Sequence, residues 1–339
     1  MLTLDTHVDI PLDFATTGAD PLDGDLQVNL RKMVNGGLDA AFFIVYVGQT
    51  QRTDANYAQA RTDAMTKFAA IHRMAEDLYP DRIEIAYAAA DVERIAAAGK
   101  LVAAIGIENG YVIGKDLQRL DDFHALGARY VTLVHNGDND IAHSATARPE
   151  LGDDDDRESA GVTAFGAEVV AQLNRLGIMV DVSHASKRST LDAMRLSQAP
   201  VIASHSSVRA IADHRRNMDD ETLVALRQNG GVVQVVAYES FLKVQPEDTP
   251  GPPANVQDLV DHIDYAVRLI GIDHVGISSD FGGGGGIAGW ADASETPNVT
   301  RELQARGYSE ADIAKLWGGN LLRVWRDVER VSAELSLGN

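Results

Sequence analysis

The chain has 339 residues, 45% of them hydrophobic and 24% charged, with no cysteine and a formal net charge of −20. Its length exceeds a typical domain yet suits one α/β barrel, so residues 1–339 are expected to form a single unit. The missing thiols exclude disulfides and thiolate metal ligands, and so acidic a balance excludes a nucleic-acid partner, whose phosphates need clustered Lys and Arg.

No apolar run approaches about 18 residues, so no membrane span is expected. No basic stretch with an apolar core precedes the first motif, so the expected location is the cytoplasm. Apolar, β-branched runs recur at 2–10, 41–47, 83–88, 101–107, 130–134, 178–182, 201–203, 232–236 and 274–277. Segments with helical spacing at 57–78, 162–176, 188–196, 221–228 and 256–270 alternate with them. Such alternation implies a parallel sheet covered by helices, the α/β class. Nine runs are one too many for a (β/α)8 TIM barrel. The run at 83–88 leads into Ala88-Ala89-Ala90 without a functional side chain and is dropped. Six of the other eight lead into His7 and Asp9, Glu108, His135, His184, His205 or Asp280, and barrel enzymes carry their chemistry at the carboxyl ends of the strands. Residues 309–331 read as a closing helical region with Ser309 and Asp312 at its cap. The acidic run at 152–156 reads as a solvated loop. The glycine run at 282–286 lacks phosphate-loop spacing and reads as a flexible one.

His7 and Asp9, two apart in a strand, share a face and can grip one divalent ion such as zinc, with His184 and His205 adding nitrogen ligands. The other six of the ten histidines, at positions 72, 124, 143, 214, 262 and 274, are assigned to solvated or core roles. Glu108 ends an apolar strand, where a lone buried carboxylate costs several kcal/mol; a metal neutralises it, and with two ions about 3.5–4 Å apart it is the best bridge. No candidate strand offers a lysine for that task. Asp280 closes the last strand, placed to bind metal or move protons. Arg215 and Arg216, on a loop after the His205 strand, either clamp a substrate carboxylate or pair with Asp219 and Asp220. Pocket shape is assigned to loops 136–157 and 238–255, with Tyr238 taken as a substrate contact.

Together these residues resemble the membrane dipeptidase (renal dipeptidase) family of zinc peptidases within the amidohydrolase-like superfamily. The likeness runs from Asp5-Thr6-His7-Val8-Asp9 through Gly106-Ile107-Glu108-Asn109-Gly110, Val134-His135-Asn136, Asp181-Val182-Ser183-His184, Ser204-His205-Ser206 and Arg215-Arg216-Asn217 to Ser279-Asp280-Phe281 and Gly319-Asn320-Leu321-Leu322. The resemblance implies two zinc ions, other divalent metals being admitted: one on His7 and Asp9, one on His184 and His205, with Glu108 bridging. It implies that a hydroxide between the ions attacks the peptide bond of a dipeptide, often one with a D-residue at its carboxyl end. His135 would stabilise the tetrahedral intermediate, Arg216 hold the substrate carboxylate and Asp280 shuttle protons. A homodimer is compatible with this reading. Three positions depart from the family pattern: Thr6 and Asn109 stand for glycines, and Gly282 for an aspartate. The rivals are another binuclear amidohydrolase acting on N-acyl amino acids or lactones, and a non-catalytic metal-binding barrel.

Overall fold

Strand propensity and burial together place nine strands: β1 (Leu4–Asp9), β2 (Ala40–Tyr46), β3 (Ile83–Ile85), β4 (Leu101–Glu108), β5 (Ala128–Thr132), β6 (Met179–Asp181), β7 (Ile202–Ser206), β8 (Val232–Val236) and β9 (Val275–Ser278). The computed structural model describes residues 1–154, 160–245 and 251–338. All pairings are parallel, in the order β1-β2-β4-β5-β6-β7-β8-β9, with β3 off this path against β4. The Asp9 amide donates to the Phe281 carbonyl at 2.8 Å, and Val8 bridges Phe281. The last strand thereby meets the first, giving a (β/α)8 barrel.

Dropping 83–88 from the ring agrees with the topology, although the segment is a real strand. Ile83–Ile85 pairs with Leu101–Ala103 at the start of β4, and β5 takes over from Ile105 onward. The helix expected over 57–78 begins at Asp54, capped by the Thr53 hydroxyl, and its last turn, Arg73–Leu78, widens to a π-helix. The closing region divides into Glu310–Ala314, a π turn at Lys315–Gly319 and a long helix, Asn320–Leu337. Ser309 caps it by accepting from the Asp312 amide at 3.2 Å. Shorter helices at Leu30–Gly36, Ala89–Ala97, Arg119–Ala125 and Pro297–Ala305 had too few periodic positions to stand out.

One apolar cluster joins Leu4, Phe42, Val102, Ile202 and Val232, from the first halves of their strands, to Leu321 and Trp325. The long carboxyl-terminal helix therefore plugs the amino-terminal mouth of the barrel, leaving the opposite mouth for chemistry. No described helix is long and apolar enough to cross a membrane.

Candidate metal centre

The carboxyl mouth opens into a cavity of about 810 Å³ lined by Asp9, Glu108, His135, His184, His205, Arg216 and Asp280, among others. His7 lies beneath it, fully buried. His205 and Glu108 sit within their strands, whereas His135, His184 and Asp280 lie two or three residues past theirs. That overrun needs unusual backbone. His184 and Asp280 have φ of 66° and 59°, and Asn109, next to Glu108, has 80°. Three of the four non-glycine residues with positive φ among the described residues thus cluster here, as stored strain does at functional sites.

Glu108 divides its carboxylate. Oε1 lies 3.0 Å from His184 Nε2 and 3.3 Å from His205 Nε2, and Oε2 lies 3.6 Å from His7 Nε2. Asp9 Oδ2 is 3.3 Å from the same His7 nitrogen and Asp280 Oδ1 is 3.9 Å away. Two donor groups capable of holding an ion result, His7–Asp9–Glu108 and Glu108–His184–His205; a third combines His7, His205 and Asp280.

In each of the three histidines, the outer nitrogen is bound to protein. His7 Nδ1 lies 2.8 Å from Tyr130 Oη, which donates to the Thr6 carbonyl. His205 Nδ1 lies 2.8 Å from Ser204 Oγ, which donates to Asp181 Oδ2 at 2.6 Å. His184 Nδ1 lies 3.0 Å from Asn136 Oδ1, an acceptor. Each Nδ1 therefore carries the proton, and each Nε2 turns a lone pair inward. The consequence is that His184 Nε2 and His205 Nε2 face each other at 2.9 Å with no proton between them, and His7 Nε2 is buried without a hydrogen-bond partner. Lone pairs converging with carboxylates in this way fit divalent cations, and nitrogen with oxygen suits zinc.

Electrostatics agree for two of the three histidines. Burial, with Arg216 nearby, holds the His184 and His205 imidazoles well below their ordinary pKa, neutral as ligands must be. His7 is opposed by burial but raised well above its usual value by Glu108 and Asp9. Burial would raise Glu108, yet His135 and His7 and the bonds to His184 and His205 hold it well below the carboxylate range. Burial pushes Asp280 well above that range, with Asp9 and Glu108 adding to the effect and His7 opposing it.

His135 lines the cavity with Nε2 3.8 Å from Glu108 Oε1 and its ring 4.8 Å from Tyr46. Arg216, 6% exposed, donates to the His205 carbonyl at 3.1 Å and stands 5.2 Å over the Phe241 ring. Neither arginine pairs with Asp219 or Asp220 among the described residues, because Lys187 takes Asp219 at 2.7 Å and Tyr265 bonds Asp220. Tyr238 also lines the cavity, stacked on Phe241 at 4.4 Å.

Some expectations are corrected. His214, expected to be solvated or satisfied in the core, is partly exposed at the cavity wall, its ring 4.6 Å from Phe241. Residues 282–286 form a hydrogen-bonded turn, with the Gly283 and Gly285 amides donating to the Asp280 carbonyl at 3.1 and 2.8 Å. A Cβ on Gly283 would come within 2.4 Å of Asp9 Oδ2 and 2.6 Å of Asp280 Oδ1, so glycine lets the backbone pass over both carboxylates. Asp153 is not simply solvated; its Oδ2 accepts from the Asp138 and Arg148 amides. Asp155 and Asp156 lie outside the described residues, as do positions 246–250 of the 238–255 loop. Tyr130, Ser204, Asp181 and Asn136 escaped notice as supporting groups because nothing in a linear sequence separates them from core or turn residues.

The family model for membrane dipeptidase (peptidase family M19) matches residues 1–338. The dipeptidase tcpJ of Claviceps purpurea is 36% identical over 91% of this chain and 70% of its own length. The dipeptidase aclJ of Aspergillus oryzae is 35% identical over 94% and 74%. Among solved structures, the probable dipeptidase PvdM from Pseudomonas aeruginosa superposes with a TM-score of 0.93 at 35% identity, covering 98% of this chain and 96% of that one. A metallo peptidase from Rhodobacter sphaeroides, liganded with a phosphinate mimic of L-Ala-D-Ala, gives a TM-score of 0.81 at 27% identity, over 97% and 99% of the two chains.

Proposed function

Because the chain belongs to the membrane dipeptidase family, peptidase family M19, and is a metallodipeptidase, we propose that it cleaves dipeptides with two zinc ions sharing Glu108. The observation that carries this reading is the division of the Glu108 carboxylate between His7 on one side and His184 with His205 on the other. His7 and Asp9 would hold the first ion and His184 and His205 the second. When bound, such a pair supplies an acidified water at neutral pH and polarises the scissile carbonyl.

The chain's own groups do the rest. Arg216, almost fully buried yet lining the cavity, receives the substrate carboxylate, and burial lowers its pKa only to about 10, so it stays charged. Arg215 and Tyr238 close the same side of the pocket. His135 donates to the oxygen that gains charge at the carbonyl. Asp280 takes a proton from the attacking water and returns it to the leaving amine, its carboxylate lining the cavity beside the groups that would hold the ions. Acceptance of a D-residue at the carboxyl-terminal position is part of the proposal, supported by the L-Ala-D-Ala mimic held by the Rhodobacter sphaeroides relative.

A screen of stereochemically paired L-L and L-D dipeptides with zinc added, run beside elemental analysis of the protein, tests the reading. Two zinc ions per chain and turnover of the L-D series are expected. Two bound ions with no dipeptide cleaved would overturn it.

A further inference from the structure

The long helix Asp54–His72 buries Tyr57, Ala60, Ala64, Phe68 and Ile71 along one stripe, and Lys67 stands in the same stripe. Lys67 is 7% exposed and lines the cavity, its Nζ 5.5 Å above the Tyr46 ring. Among the described residues no carboxylate forms an ion pair with it. Burial lowers its pKa, while Asp9, Glu108 and Asp63, none of them in an ion pair with it, pull the other way. With divalent ions seated on Asp9 and Glu108, their charge is already committed. The ammonium is then left buried beside cations with only the half-buried Asp63, which forms no ion pair with it, to offset its charge, a costly arrangement unless an arriving anion completes it.

Where that anion belongs follows from the ring order. Tyr46, under Lys67, ends β2, whereas Arg216 follows β7 and bonds to the His205 carbonyl. β2 and β7 are four steps apart in the ring of eight, directly across the mouth. The two cations therefore face each other over the metal centre. A dipeptide with its terminal carboxylate on Arg216 and its scissile carbonyl at the centre points its amino-terminal residue at Lys67.

We propose that Lys67 is a specificity-determining residue that selects dipeptides whose amino-terminal residue carries a carboxylate side chain, aspartate or glutamate. This rests on the dipeptidase reading above, and the following comparison separates the two. With the zinc-loaded full-length chain, kcat/KM is measured for Glu-Ala against Gln-Ala and for Asp-Ala against Asn-Ala, with Ala-Glu against Ala-Gln as the positional control. Glu-Ala is expected to exceed Gln-Ala by about tenfold or more, since a site built around a buried polar group rejects the analogue that leaves it unpaired. The advantage should reside mainly in KM, shrink in 0.5 M salt and be smaller in the Ala-Glu pair. Lys67→Met should bring the ratio to about one and Lys67→Arg should retain most of it. Equal rates for Glu-Ala and Gln-Ala in the unaltered protein would overturn the proposal without any variant having to fold, as would a preference that survives in Lys67→Met. No cleavage of any dipeptide would sink the underlying reading instead.

Discussion

Glu108 Oε1 lies 3.0 Å from His184 Nε2 while the other oxygen of the same carboxylate turns to His7, 3.6 Å away. One side chain on β4 thereby ties β1 to the loop after β6. Glu108→Gln keeps the shape but replaces one oxygen by an amide that cannot ligate. Metal content is expected to fall from about two ions per chain to about one or fewer, and turnover by at least about a hundredfold. Elemental analysis and kcat on one preparation check this; a variant that keeps both ions refutes the bridge.

The relay from His205 through Ser204 to Asp181 fixes which nitrogen faces inward. Asp181 is fully buried and also accepts from the Ser183 and Ser204 amides at 3.1 and 2.8 Å. Ser204→Ala breaks the relay and leaves those amide bonds in place. Metal affinity is expected to drop by about 10–100-fold, read by competition against a chelator. Unchanged affinity would show that His205 needs no such support.

Asp280→Asn separates proton transfer from metal binding. The ions should remain and KM should move little, while kcat falls by about 10²–10⁴. Near-normal turnover with the metals retained would end the case for a proton shuttle.

Asp5 sits one layer below the centre, fully buried, accepting from the Ser279 amide at 3.0 Å with Oδ1, whereas Oδ2 has no partner. Burial raises its pKa to about 6. For an acid whose pKa is higher folded than unfolded, the stabilising contribution is complete below about pH 4 and lost as pH climbs through 6, a difference of about 3 kcal/mol. Asp5→Asn mimics the protonated acid at every pH. In urea denaturation with chelator present, it should match the parent near pH 4 and gain on it by about that amount at pH 8. A pH-independent difference would contradict the assignment.

The converging donors were legible because strand geometry writes them into the chain: His7 and Asp9 alternate onto one face, and Glu108 ends a run that otherwise has no place for charge. The eight-stranded barrel was legible from the same runs, as was the demotion of the run at 83–88. What stayed hidden depends on contacts across the barrel. Tyr130 reaches His7 only because Gly106 on the neighbouring strand leaves room for its ring; a Cβ there would lie 2.4 Å from the ring carbon Cζ. His214 reads as an ordinary loop histidine until the chain after β7 folds back over the mouth. Lys67 did leave a trace, a lysine in the apolar stripe of a helix, but its direction relative to the pocket requires the packed structure.

The joint between Phe281 and Asp9 gives the rim a clasp. Because Asp9 and Asp280 stand on opposite sides of that joint, the full ring of donors exists only after the final strand has docked, and partly folded chains hold fragments of the centre without its grip. Bound ions should accordingly hold the joint shut. On chelation, amide hydrogen exchange at Asp9, whose donor bond crosses to Phe281, should quicken before that of Gly106 and Ile107 in mid-barrel. Exchange that quickens evenly around the ring would mean the clasp holds nothing.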